Sequence, residues 1–161
     1  MVIKDSGDRT EFGTGAVRDL REGKGRCDLM PLDVVAECMR DEIIHHISEF
    51  QEHGTVYHLY CVLADVGNLP VFSGQPTMFL ETAKHFEDGA KKYGEQNWQL
   101  GIPVKAYIDS AVRHYLKWRR GDNDEPHHRA FVWNIMCAIW TCSHLPELND
   151  YRKDDCNDTQ C

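Results

Sequence analysis

Apolar residues recur at steps of three and four along four stretches of the chain, the spacing that lays one face of a helix against a core. Over roughly 32 to 52, Leu32, Val35, Met39, Ile43, Ile47 and Phe50 share a stripe, with Glu37, Asp41, Glu42, Glu49 and Glu52 largely outside it, as on a solvated face. Over roughly 77 to 93 the stripe is Phe79, Ala83, Phe86, Ala90 and Tyr93, a bundle-like seam, and Lys84, Glu87, Asp88, Lys91 and Lys92 occupy the other side. Over roughly 104 to 119, Val104, Ile108, Ala111, Tyr115 and Trp118 align, while Asp109 pairs with Arg113 and Ser110 with His114 at i,i+4. The fourth stretch, roughly 127 to 143, is apolar nearly all round and is expected to be the most buried. It nevertheless holds His127 and Asn134 seven residues apart on one face, and buried polar groups need partners.

The punctuation agrees with this division. Pro31, Pro76, Pro103 and Pro126 stand where helices should start, because a first helical turn has no use for the N–H that proline lacks. Gly54, Gly94 and Gly121 stand where three of the runs stop. In the segment 55–73, Val56, Tyr60, Leu63 and Val66 permit a fifth, short helix, and residues 55–63 equally permit a strand; helix is expected. The segments 1–27 and 145–161 read as loosely ordered, the tail being rich in Asp and Asn. The expectation is a single all-α domain over 1–161, built as a bundle of four main helices.

Composition narrows the function. Eighteen Lys and Arg against 26 Asp and Glu give a net charge of −8, which argues against a surface built to grip duplex nucleic acid by counterion release. Locally, however, the first 26 residues carry Lys4, Arg9, Arg18, Arg21, Lys24 and Arg26, and a small phosphorylated ligand suits such a cluster. No apolar run is long enough to span a membrane. The seven cysteines, at 27, 38, 61, 137, 142, 156 and 161, form no CxxC pair and are odd in number, so they read as reduced thiols. A cytoplasmic location is expected, that of the host cell if the protein is phage-encoded. A P-loop, a GxGxxG helix start and a GxSxG elbow are all absent, which disfavours kinases, dehydrogenases and serine hydrolases.

Carboxylates recur at Glu87 and Asp88, at Asp109, and at Asp122, Asp124 and Glu125. Brought together across helices they would suit a hard divalent ion such as Mg²⁺; apart, they are ordinary solvated acids. His114 shares a helix with Asp109 and His127 starts the most buried helix, so both can converge on one cleft, although a hydrogen-bonded structural role serves either ring equally. His45 and His46 form no HExxH zinc motif. The connector 94–103, GEQNWQLGIP, places Asn97 and Trp98 in a polar loop, where they either frame a purine or plug the end of the bundle.

Three blocks carry a resemblance: GAVRDLREGKGRCDLMP over 15–31, FEDGAKKYGEQNWQLGIP over 86–103, and YIDSAVRHYLKWRRGDNDEPHHRAFVWNIMCAI over 107–139. Together they resemble the phage dATP/dGTP diphosphohydrolase N-terminal family, a relative of the MazG enzymes, and the MazZ enzymes of phages that replace adenine by 2-aminoadenine. The resemblance implies an all-α, MazG-like fold assembled as a homo-oligomer, dimer or tetramer. It further implies Mg²⁺ or Mn²⁺ and conversion of a purine deoxynucleoside triphosphate, dGTP or dATP or both, to the monophosphate and pyrophosphate. In 2-aminoadenine phages the dGMP so made feeds synthesis of the modified nucleotide.

Carried over by motif, the family's acidic position falls on Glu87, its SAxRH pair on Arg113 and His114 with Asp109 just before, and its H-x6-N pair on His127 and Asn134. The MazG pattern of EExxE followed by ExxD is absent. The implied site has Glu87, Asp109 and Asp88 holding metal with Asp124 as a further ligand, and Glu87 or His114 acting on the water. Lys91, Lys92 and Arg113 would face the phosphates, Asn97 and Trp98 the base, and Lys24 and Arg26 would close over the triphosphate. The segment 55–73 has no counterpart in the family pattern and suits a subunit interface or a lid. The alternative is a non-catalytic helical module that binds a nucleotide or a protein, separated from the enzyme by metal-dependent release of pyrophosphate.

Overall fold

The structure is a computed structural model and describes residues 7–153, so Lys4, Cys156 and Cys161 lie outside the described residues. It is mostly helical. Among the described residues there are six α-helices: α1 Leu32–Met39, α2 Glu42–His53, α3 Tyr57–Gly67, α4 Gln75–Tyr93, α5 Val104–Arg120 and α6 His127–His144. A small antiparallel hairpin precedes them, β1 Arg9–Glu11 and β2 Val17–Asp19, with Thr10 opposite Arg18.

The helix expected over 32–52 is two helices, because the apolar stripe runs on across a backbone break. Arg40 adopts a left-handed conformation (φ 50°) and ends α1, and Asp41 is extended, its carboxylate accepting from the Ile44 N–H at 3.1 Å to cap α2. Asp41 is thus no solvated acid. It is buried, and its other oxygen accepts from Tyr115 Oη at 2.8 Å and pairs with Arg119 on α5. The segment 55–73 contains a helix, not a strand: Leu59, Val62 and Val66 of α3 face inward at helical spacing.

The core lies between α5 and α6, which make the most extensive helix contact, with α2, α3 and α4 around them. Ile44, Ile47 and Phe50 of α2, Ile108 and Tyr115 of α5, and Phe131 and Ile135 of α6 are fully buried. Each such side chain contributes ~1.5–3 kcal/mol of transfer free energy. The face that α4 buries is rotated from the expected seam. Met78 and Thr82 are buried, whereas Phe79 and Ala83 are exposed, so Phe86 and Tyr93 turn to the edge of the core instead of its centre.

The terminal segments expected to be loose are tied down within the described residues. Asn97 on the α4–α5 connector holds β2 through both amide ends: Oδ1 accepts from the Val17 N–H at 2.8 Å and Nδ2 donates to the Val17 carbonyl at 3.0 Å. At the other end Tyr151 packs edge-on against Phe50 with ring centres 5.4 Å apart, and Asn149 Nδ2 donates to the Gly54 carbonyl at 3.1 Å. Among the described residues no helix is long and apolar enough to cross a membrane.

Candidate functional site

The hairpin and the α4–α5 connector lie over one end of α4, α5 and α6 and leave a cavity of about 380 Å³ between them. That is within the range of small-molecule sites, roughly 300–1,000 Å³. Helical phase decides which α4 side chains reach it. Phe86, Gly89, Ala90 and Tyr93 line the cavity, and Gly89 adds no side chain to the space. Glu87 and Lys91, on the opposite side, pair with one another at 2.5 Å.

Part of the cavity lining is aromatic. Phe86 meets Trp98 (ring centres 5.5 Å) and Trp133 (5.9 Å), His85 also lies against Trp133 (5.7 Å), and all four residues border the space. Trp98 additionally packs edge-on against Trp140 at 5.1 Å, so it both closes the bundle end and lines the cavity. The lining is also cationic, with Lys24, Arg113 and Lys117 from the loop after β2 and from α5. Burial is the main influence pulling the Lys24 amine below its usual range, and Arg113 nearby adds to it against the opposing pull of Asp19 and Glu125.

Beside the cavity two histidines meet. The Nδ1 atoms of His114 and His127 are 2.9 Å apart, and His127 Nε2 is 2.8 Å from an Asp124 carboxylate oxygen. An ionised carboxylate only accepts, so His127 donates from Nε2 and a neutral His127 ring accepts at Nδ1. His114 then donates from its own Nδ1 and keeps its lone pair on Nε2. Burial, with the nearby His127 and Arg113, holds the His114 pKa well below that of an ordinary imidazole, so the ring is neutral at pH 7 and free to ligate or accept.

Among the described residues two groups have donor atoms close enough to share an ion: His114, Glu125 and His127, and Asp122, Asp124 and His127, each within 4.8 Å of one another. Of these residues, His114 and Glu125 border the cavity. Carboxylates with retained waters suit Mg²⁺ or Mn²⁺, and an imidazole in the set favours a transition ion over Mg²⁺.

Asp109 also borders the cavity but is committed elsewhere. It is 1% exposed and accepts from the Cys27 N–H (2.6 Å), Arg21 Nε (2.9 Å) and Arg113 Nη1 (3.0 Å), which fixes the chain after the hairpin to α5. The structure therefore does not bring the expected carboxylate set together. Glu87 and Asp88 lie off the cavity, and no hydrogen bond or ion pair among the described residues ties either to Asp109.

Of the other expected residues, Lys24, Asn97, Trp98, Arg113, His114 and Asn134 border the cavity. Asn97 spends one acceptor and one donor of its amide on the hairpin, which fixes the orientation of its side chain. Lys91 is paired with Glu87, Lys92 with Asp19 at 2.8 Å, and Arg26 with Asp28 at 2.5 Å, and none of the three borders the cavity. His127 and Asp124 stand behind His114.

Arg18, Lys117, Glu125 and Trp133 also line the cavity, without having been singled out as site residues. The run of basic residues that contains Arg18 was visible, and Glu125 stood among the acids of the α5–α6 loop; what periodicity cannot give is which of them turns inward.

A family model described as dATP/dGTP diphosphohydrolase, N-terminal, matches residues 64–151, more than half of the chain. The match takes in the end of α3 and all of α4, α5 and α6, and begins after the hairpin. No curated protein and no solved structure matches the chain.

Proposed function

Because the chain belongs to the dATP/dGTP diphosphohydrolase N-terminal family, we propose that its cavity binds a purine deoxynucleoside triphosphate and hydrolyses it to the monophosphate and pyrophosphate. The observation that carries this reading is a cavity lined by both aromatic rings and cations. Aromatic rings suited to a base and cations suited to a triphosphate line one cavity, beside a group of metal donors.

Phe86, Trp98 and Trp133 offer faces and edges for stacking, a contact worth ~1–3 kcal/mol per base. Lys24, Arg113 and Lys117 meet the phosphates. Glu125 and His114 are the cavity-lining residues that would hold a divalent ion, Mg²⁺ or Mn²⁺, with His127 and Asp124 orienting the His114 ring from behind. Such an ion, when bound, neutralises phosphate charge and lowers the pKa of the attacking water. Water attacks the α-phosphorus, the bond from that phosphorus to the bridging oxygen breaks, and pyrophosphate departs toward the cations. The protein's part is positioning and electrostatics, with no covalent intermediate.

The test is product analysis with each of the four deoxynucleoside triphosphates and GTP, in Mg²⁺, in Mn²⁺ and in EDTA. The expected products are dGMP or dAMP with pyrophosphate, lost in EDTA and lost in Glu125→Gln, which still binds nucleotide. Normal turnover in Glu125→Gln would overturn the metal assignment, and release of inorganic triphosphate would overturn the reaction. Binding without hydrolysis under either metal would leave a non-catalytic nucleotide module.

A further inference from the structure

Strand β2 places one cation in the cavity that no acid balances. Arg18 lies outside the residues matched to the family, borders the cavity, and forms no ion pair among the described residues. Its neighbour Asp19 is occupied by Arg9, Lys92 and the Tyr93 hydroxyl. The hydrogen-bond partners of Arg18 are all neutral: Asn134 Oδ1 at 2.8 Å, Ser110 Oγ at 3.3 Å and the Ala106 carbonyl at 3.4 Å. Two of those bonds are long and Nε makes none among the described residues, so the guanidinium keeps donor capacity.

The surroundings of Arg18 are aromatic. Its guanidinium carbon lies 5.4 Å from the Tyr107 ring centre and 5.6 Å from that of Trp133. The Asn134 amide is fixed in turn, since its Nδ2 donates to the Ala130 carbonyl at 2.7 Å, and so it presents its oxygen to Arg18. Burying a charge without a counter-ion is costly, and here the cost falls beside Trp133, one of the rings that would sandwich a base.

A guanidinium only donates. The edge of guanine or hypoxanthine that carries O6 and N7 only accepts, whereas adenine and 2-aminoadenine offer an N6 amino donor at the same place. We propose that Arg18, positioned by Asn134 and Ser110, selects 6-oxopurines over 6-aminopurines, so that dGTP is preferred to dATP. The proposal rests on the reading of the cavity as a purine deoxynucleotide site. Selection acts in both directions, because the donor that pairs with O6 opposes the N6 amino group.

The experiment compares kcat/KM for dGTP, dITP, dATP and 2-amino-dATP in the parent protein, Arg18→Met and Arg18→Lys, with folding checked by circular dichroism. The parent should favour dGTP and dITP over the two 6-amino substrates by about 10- to 100-fold, the scale of one charge-assisted hydrogen bond to O6, since both Nη2 hydrogens are held by Asn134 and Ser110. Arg18→Met should bring the four toward parity. Arg18→Lys, which keeps the charge but loses the planar fork, should narrow the ratio if Met at this position does not fold.

An equal loss on all four substrates in Arg18→Met would make Arg18 a phosphate contact and overturn the proposal. So would a parent that ranks 2-amino-dATP with dGTP, which would mean that the 2-amino group is read instead. Binding of dGMP, dIMP and dAMP, followed by quenching of tryptophan fluorescence, separates this proposal from the hydrolytic reading. Arg18-dependent preference for dGMP and dIMP without any turnover would sustain the proposal alone. Turnover with dATP equal to dGTP would sustain the hydrolytic reading alone.

Discussion

Asp109→Ala should unfold the chain more readily before it affects any chemistry. Asp109 is 1% exposed and satisfies three donors at 2.6–3.0 Å, two of them arginines. Its removal strands the Cys27 N–H, at ~1–3 kcal/mol for a buried unpaired group. It also leaves Arg113, 16% exposed, without its carboxylate. Arg21 is less affected, because it keeps Asp28 at 2.8 Å and is 31% exposed. Breaking a buried pair costs ~3–5 kcal/mol, and the partial exposure of both arginines places the sum in that range, not above it.

For a chain of this size the loss corresponds to a fall in Tm of roughly 10 °C. The assay is a thermal melt in EDTA, which removes any metal contribution to stability. Hydrogen exchange should show residues 21–28 opening first. An unchanged melting midpoint in EDTA, with metal affinity lost, would mean that Asp109 is a ligand and that its three bonds do not hold the fold.

Three further outcomes are expected. Burial above all, then Arg18 and Arg129, pushes the His85 pKa from 6.5 to about 4, so the unfolded chain takes up the proton first. The folded state should therefore lose up to about 3 kcal/mol as pH falls from 6.5 to 4, and His85→Gln should flatten that part of a urea-denaturation profile. Gly54→Ala should lower Tm: φ is +67°, and an added Cβ would fall 2.7 Å from the Tyr151 carbonyl carbon, adding a backbone clash to the ~1 kcal/mol or more of left-handed strain. Trp98→Ala should raise KM roughly tenfold with kcat near normal, as loss of one stacking face would, and steady-state kinetics would show it.

Helix positions were legible because the apolar residues of α5 and α6 have no competing pattern: Val104, Ile108, Ala111 and Tyr115 are buried as their spacing implies. The junction at Arg40 and Asp41 was not, because apolar periodicity persists through it and a capping aspartate looks like any exposed acid until Tyr115 is known to sit beside it. The site was half legible. His114 and His127 meet as their places on two helices suggested. That Glu87 lies off the cavity was not legible, because acidic character says nothing of helical phase, and one step of 100° separates the cavity-lining Phe86 from it. The inward turn of Arg18 depends on a hairpin whose docking is decided by Asn97, 80 residues away.

That docking amide bears on how the chain behaves in company. Asn97 gives Val17 the same acceptor and donor that an adjoining strand would offer, at 2.8 and 3.0 Å. A lone two-stranded ribbon is marginal by itself, and its unpaired edge is a template on which another polypeptide can add a strand. Here the rung at Val17 is already taken by a side chain of the same molecule, so the ribbon meets its neighbours in solution with that position closed. Truncation of the Asn97 side chain would reopen it, and with it a route to edge-to-edge association.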